Sequence, residues 1–150
     1  MNDHNAVHTK LSTSYEASQE DIDFLWAGMI DFNKTTGPMM KFPPYEPYRI
    51  LMKDTENRIV AGILTKVYLK CMFVDLLYLD PQYRKSGLGT RLLKEAEAHA
   101  RQLGCTFIHL DTFSFQAIDF YKRQGYEVFG VIDDYPDEIK RYFLKKTLIS

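Results

Sequence analysis

The residues best placed for chemistry are two glycines, Gly87 and Gly89, that follow a buried strand pattern and open a helical one. Backbone N–H groups at a helix N-terminus have no intrahelical partner, and the helix dipole adds partial positive charge there. Glycine lets the backbone approach an anion closely, and the basic residues Arg84, Lys85 and Arg91 cluster around the pair. We therefore expect this loop to bind a phosphate or pyrophosphate group.

A dinucleotide-binding fold is one alternative, because Asp111 lies at a strand end about where a ribose-binding acid is expected. Against it, Leu92 occupies the position of the third glycine. Residues 80–86 also separate the strand from the first glycine, where that fold uses a tight turn. A nucleoside triphosphate loop is disfavoured, because no Gly-Lys-Ser/Thr sequence follows the glycines.

The whole chain narrows the class of protein further. A net charge of −1 gives no electrostatic case for a nucleic acid or an anionic membrane as partner. No apolar run approaches the roughly 20 residues of a membrane span, and residues 1–5 lack the features of a secretory signal. Cys71 and Cys105 fit reduced core residues better than a disulfide framework or a metal site. We expect a cytoplasmic protein without a metal.

Three helices and several strands must position the loop. Strand-forming residues predict strands at positions 7–11, 48–53, 59–69, 72–79, 106–110, 126–131 and 142–148. Ser18 and Asp21 resemble a capping box at the start of a helix that ends before Gly37. The second helix follows the glycines, and a short third helix covers residues 116–124.

The second helix fixes the topology. Its predicted inner face comprises Leu88, Leu92, Leu93, Ala96, Ala100 and Leu103, while Arg91, Lys94, Glu95, Glu97 and Arg101 are predicted to point elsewhere. Because a strand precedes and follows it, the helix forms a parallel crossover. The sequence thus predicts one α+β domain over residues 1–150. Its mostly antiparallel twisted sheet of about six to seven strands is flanked by helices.

Two longer segments carry a family resemblance. Residues 77–89, Leu-Tyr-Leu-Asp-Pro-Gln-Tyr-Arg-Lys-Ser-Gly-Leu-Gly, resemble motif A of the GCN5-related N-acetyltransferases (the GNAT family), Arg/Gln-x-x-Gly-x-Gly/Ala. Residues 117–126 resemble that family's Ala-x-x-Phe-Tyr-x-x-x-Gly-Phe/Tyr segment. The element order over roughly residues 6–148 agrees as well. Ser86 departs from the usual Gly or Arg, and Ser114 from the usual Asn. The resemblance implies the mixed αβα GNAT fold.

The resemblance also implies transfer of an acetyl group from acetyl-CoA to a primary amine in a ternary complex. Backbone N–H groups of the loop would bind the pyrophosphate, and the strand before it would pair with the pantetheine arm. The implied cofactor-binding residues are Leu77, Tyr78, Leu79, Arg84, Lys85, Ser86, Gly87, Leu88, Gly89, Thr90, Ser114 and Tyr121. The implied partners are acetyl-CoA and an amine acceptor, and homodimers are common in the family.

Three residues are the implied catalytic groups. The N–H of Leu79 would donate to the thioester carbonyl, and Tyr121 would protonate the departing thiolate. Asp75 lies two residues before Leu77, so strand alternation predicts that both share the acceptor face, where Asp75 would act as base. Structural roles for Asp75 and Tyr121 remain open. A non-catalytic acyl-CoA sensor is the alternative function, and polyamine, aminoglycoside, peptide N-terminus and protein lysine all remain possible acceptors.

Overall fold

The computed structural model describes residues 11–37, 41–42 and 45–149. The chain divides between residues 40 and 41 into two compact units. Helix α1, Gln19–Thr35, belongs to the first unit and begins with the predicted capping box. Ser18 Oγ accepts a hydrogen bond from the N–H of Asp21 at 3.1 Å, and the Asp21 carboxylate accepts one from the N–H of Ser18 at 2.8 Å. Residues 7–10 of the predicted first strand lie outside the described residues.

The second unit is built on a six-stranded sheet of order β1-β2-β3-β4-β6-β5. Its strands are β1 Glu46–Lys53, β2 Ile59–Tyr68, β3 Cys71–Leu79, β4 Phe107–Phe113, β5 Glu127–Ile132 and β6 Arg141–Thr147. Its helices are α2 Leu88–Gln102 and α3 Ile118–Arg123, with 3₁₀ turns at Pro81–Tyr83 and Pro136–Glu138. Of the described strand pairs, only β3–β4 is parallel, which confirms the predicted fold class. Over the described ranges, no helix is both long and apolar enough to cross a membrane.

The turn between β1 and β2 shows why the hairpin could be predicted. One carboxylate oxygen of Asp54 accepts hydrogen bonds from the N–H groups of Glu56 and Arg58, both at 2.9 Å. Asn57 adopts a left-handed conformation with φ 65°, which asparagine tolerates better than most residues. The side chain of Asp54 thus closes the turn that its residue type predicts.

Helix α2 packs on the sheet with the face that the sequence predicts, apart from two residues. Leu92, Leu93, Ala96 and Ala100 are fully buried. Leu103 is 41% exposed, since it lies at the C-cap, where the helix leaves the sheet. Glu97 was predicted to point away from the core, but it is 4% exposed. Glu97 can be buried because cations and hydrogen-bond donors surround its carboxylate.

Glu97 is the centre of a polar network between α2, the segment after α3 and β6. Its carboxylate accepts hydrogen bonds from Tyr126 Oη at 3.1 Å and from Lys146 Nζ at 3.0 Å. Lys146 Nζ also donates to the carbonyl of Gln124 at 2.8 Å, and Gln124 Nε2 donates to Thr90 Oγ1 at 3.1 Å. The network therefore connects the buried middle of α2 to its first turn.

Candidate active site

The parallel strands β3 and β4 separate after a short paired stretch, and a cleft opens between them. Their pairing ends at Phe73 and His109. Beyond these residues a cleft of about 900 Å³ lies between residues 74–79 of β3 and residues 110–112 of β4, with walls from the glycine loop and α3. Eleven predicted site residues line it: Asp75, Leu77, Tyr78, Leu79, Arg84, Lys85, Gly87, Gly89, Thr90, Ser114 and Tyr121. Ser86 and Leu88 are not among the lining residues.

The main chain of β3 presents polar groups to this cleft. The N–H of Asp80 donates to the carbonyl of Val60 on the β2 side at 2.8 Å. Hydrogen-bonding direction alternates along an antiparallel ladder, so the main-chain N–H and C=O groups of Tyr78 also point to β2. Those of Leu77 and Leu79 point to the opposite side. That side is the cleft. An extended ligand bearing amides can therefore continue the sheet at this edge.

The glycine loop places a helix N-terminus at the end of the cleft. Lys85 and Gly87 adopt left-handed conformations with φ 59° and 84°, which turn the chain sharply into α2. Gly87 is the N-cap, so the first-turn N–H groups of α2 receive no side-chain cap. Arg84 lies beside the strand end and donates from Nε to the carbonyl of Leu79 at 3.4 Å. Uncapped N–H groups next to two basic side chains fit a phosphate-bearing ligand.

Tyr121, on α3, presents a buried phenol to the same cleft. The residue is 7% exposed and packs edge-to-face against Phe120 and Tyr126, with ring centroids 5.2 and 5.9 Å away. Burial raises the pKa of Tyr121 to about 12, and the negative charge of Asp111 adds to the shift. The phenol therefore remains protonated throughout the neutral range and serves as a hydrogen-bond donor.

Asp75 does not share a face with Leu77, contrary to the alternation expected from the sequence. The strand pairing passes from Val74–Thr65 to Leu76–Leu64, so Asp75 is the extra residue of a β-bulge. Leu77 consequently packs against the core. The carboxylate of Asp75 stays partly exposed and forms an ion pair with Lys66, Oδ1 to Nζ at 2.8 Å. This pairing raises the pKa of Lys66, whose ammonium therefore remains charged at Asp75.

Gln116, in the connection after β4, lines the cleft but is not among the site residues that the sequence predicts. Gln116 Oε1 accepts hydrogen bonds from the N–H of Phe113 at 2.8 Å and from Thr112 Oγ1 at 3.2 Å, which fixes the chain before α3. Ser114 lines the cleft, but its Oγ accepts a hydrogen bond from the N–H of Lys140 at 3.1 Å. Asp111, on β4, also lines the cleft, although the sequence suggests only a ribose-binding role for it. Its position depends on strand register, for which the sequence has no local signal.

Comparison with known proteins agrees with this geometry. A family model described as the acetyltransferase (GNAT) family matches residues 13–126. The chain is 38% identical over 112 residues to blasticidin-S acetyltransferase of Streptomyces morookaense, covering 74% of this chain and 82% of that protein. A peptidyl-lysine N-acetyltransferase of Salmonella typhimurium is 26% identical over 125 residues, covering 83% and 70%. The crystal structure of an acetyltransferase from Bacillus cereus superposes with a TM-score of 0.76 at 30% identity, covering 91% and 97%.

Proposed function

Since the chain belongs to the GNAT acetyltransferase family, we propose that it transfers the acetyl group of acetyl-CoA directly to a primary amine. The observation that carries this proposal is the cleft between β3 and β4, which runs from the part of β3 beyond its pairing with β4 to the uncapped N-terminus of α2. We take residues 1–150 as one catalytic domain, because the family match at residues 13–126 extends over both compact units.

The residues of the cleft suit the two polar parts of acetyl-CoA. Leu77 and Leu79 direct main-chain donors and acceptors into the space where the pantetheine amides would pair, with Tyr78 between them. The N–H groups of residues 85–90 would bind the pyrophosphate, and Arg84 and Lys85 would add positive charge. Backbone recognition of this kind tolerates the serine at position 86, because it uses no side chain from that position.

Three groups would then divide the chemistry. Asp75 would accept a proton from the amine, directly or through water, and the N–H of Leu79 would stabilise negative charge on the thioester oxygen. Tyr121 would donate to the departing sulfur. The bond from nitrogen to the acetyl carbon forms as the carbon–sulfur bond breaks. Of the two protons that an ammonium acceptor loses, one ends on the CoA thiol and the other reaches solvent.

The test of this function is the release of CoA thiol from acetyl-CoA with a panel of amines. The panel contains blasticidin S, because a relative named for that compound is 38% identical, together with spermidine, kanamycin and a lysine peptide. We expect amine-dependent thiol release and a product heavier by one acetyl group. Binding of acetyl-CoA without turnover on any amine would instead favour the acyl-CoA sensor, and a thermal shift with NAD but none with CoA would favour a dinucleotide-dependent enzyme.

Replacing Gly87 by Ala tests the loop itself. An added Cβ meets no atom within 4 Å, so the cost comes from φ +84° alone. Alanine relaxes out of this conformation when the loop is empty, and ligand binding must restore it at about 1–2 kcal/mol. We therefore expect the Kd for CoA, measured by calorimetry, to rise about 5- to 30-fold.

Gly104→Ala is the matched control for this variant. Gly104 lies at the other end of α2 with φ +73°, and its added Cβ also meets nothing within 4 Å. We expect Gly104→Ala to lower the Tm without weakening CoA binding, and Gly87→Ala to weaken CoA binding. Equal Kd values for CoA in the two variants would show that the loop is not part of the binding site.

A further inference from the structure

Two carboxylates stand on the same face of the sheet, one on each side of the cleft. Phe73 and His109 form the last pair between β3 and β4, so their side chains share a face. Asp75 and Asp111 each lie two residues further along their strands. On both strands the intervening residues, Val74 and Leu110, are buried in the core. Asp75 and Asp111 therefore lie on the face away from the core, at the point where the strands separate.

The carboxylate of Asp111 is held from one side only. Arg141 donates to it from Nε at 2.9 Å and approaches with Nη2 at 2.8 Å, and both contacts fall on Oδ1. Oδ2 makes no hydrogen bond with any residue that the structure describes, although the side chain is only 21% exposed and lines the cleft. Oδ2 is not buried, since among the described residues the buried side-chain polar atom without a partner is His99 Nε2. A fixed carboxylate with one accessible oxygen can accept a hydrogen bond from a further cationic donor.

Arg141 is itself fixed by aromatic rings. Its guanidinium carbon lies 5.5 Å from the ring centroid of Phe113 and 5.4 Å from that of Phe143. Planar guanidinium groups stack on such faces and lose conformational freedom there. The ion pair therefore holds Asp111 in place without a ligand. Asp111 also acts on Tyr121, since its charge contributes to the raised pKa of that phenol.

We propose that Asp111 binds the acceptor, accepting a hydrogen bond at Oδ2 from the acceptor's ammonium group, so that the substrates are cationic primary amines. The proposal rests on the proposed function and adds to it a substrate class and a residue that determines specificity. Asp75, on the opposite side of the cleft, remains the base, and Arg141 is a positioning residue that acts through Asp111.

The experiment measures amine binding and turnover separately. Calorimetry with the enzyme–CoA complex gives the Kd of blasticidin S, spermidine, kanamycin and the lysine peptide for wild type and for Asp111→Asn. Asparagine keeps an oxygen for Arg141 but lacks the charge. We expect the best-bound amine to lose about 10- to 100-fold in affinity, with the Kd of CoA changed less than about twofold.

Glu56→Gln is the matched control, because Glu56 also pairs with an arginine, Arg58, at 3.0 Å but lies in the exposed β1–β2 turn. It should leave the amine Kd unchanged, whereas Asp111→Glu, which keeps the charge, should recover part of the affinity. Unchanged amine affinity in Asp111→Asn would overturn the proposal, as would a wild-type enzyme that binds none of the four amines. Amine binding without acetylation would instead refute the proposed function alone.

A purely structural role for Asp111 has a different signature. It would lower the Tm and weaken CoA and amine together, without recovery in Asp111→Glu, and that result also overturns the proposal. Arg141→Lys supplies the test of positioning. We expect its KM for the amine to rise with kcat nearly unchanged, because the carboxylate is present but less well held.

Discussion

Tyr121→Phe is expected to lower kcat by about 100-fold while leaving the Kd for CoA within about twofold, since a donor to developing negative charge commonly contributes this much. Phenylalanine keeps the ring that packs against Phe120 and Tyr126. Only the hydroxyl is lost. With a pKa of about 12, this hydroxyl is protonated whenever the enzyme works, so it is available to every turnover. Single-turnover measurement of acetyl transfer separates this chemical step from product release.

Tyr142→Phe is the control for this prediction. Tyr142 is partly buried against the same core but does not line the cleft, so its hydroxyl should be dispensable for kcat. Equal kcat values for Tyr121→Phe and Tyr142→Phe would show that Tyr121 has a structural role only.

The same variant has a readout in stability at high pH. The folded-state pKa of Tyr121 is about 12, and that of an exposed tyrosine is about 10. Below pH 10 both states hold the proton, and the raised pKa has no effect on folding. Between pH 10 and 12 the unfolded state releases its proton first, so the free energy of unfolding falls by up to about 3 kcal/mol. Tyr121→Phe should lose less stability over this range than wild type, measured by urea unfolding.

The fold was predictable because its signals are local. The capping box of Ser18 and the turn chemistry of Asp54 depend on neighbours within four residues, and both form as expected. The apolar face of α2 and the strands on either side of it leave only a parallel crossover. Such features do not depend on the partner strand, so the sequence alone predicts the order β3, α2, β4 and the parallel crossover between the two strands.

The site was less predictable, because two of its features depend on register between distant segments. The bulge at Asp75 exists only relative to β2, so strand alternation wrongly predicts that Leu77 shares a face with this residue. The shared face of Asp75 and Asp111 requires the pairing of Phe73 with His109. Sequence order alone contains neither fact. The motifs thus predict which residues reach the cleft better than they predict how those residues face each other.

Glu97 illustrates the same dependence and leads to the largest expected change in stability. Its charge predicts a solvent-facing position, but its carboxylate is buried between Lys146 and Tyr126. Glu97→Ala is expected to lower the free energy of unfolding by about 3–5 kcal/mol, because it leaves a cation and a hydroxyl without their acceptor inside the protein. Urea unfolding at neutral pH measures this difference directly.

Glu95→Ala is the matched control on the same helix. Glu95 pairs with Arg91 at 3.1 Å on the exposed side, so its loss should cost about 0–1 kcal/mol. A double variant separates the loss of the ion pair from the cost of leaving one of its charges buried without a partner. Replacing Glu97 by Leu and Lys146 by Met together removes both charges and should recover most of the stability that Glu97→Ala loses. Similar unfolding free energies for Glu97→Ala and Glu95→Ala would contradict the network.

Because the network reaches the first turn of α2, breaking it is expected to weaken CoA binding as well as to lower stability. Lys146 holds the carbonyl of Gln124, and the side chain of Gln124 holds Thr90 in the first turn of α2. Thr90 lines the cleft beside the glycine loop. In the Leu–Met double variant, Lys146 no longer fixes Gln124, so the Kd for CoA should rise even where folding is restored. Recovered stability with weakened CoA binding would show that the buried pair of Glu97 and Lys146 positions the first turn of α2.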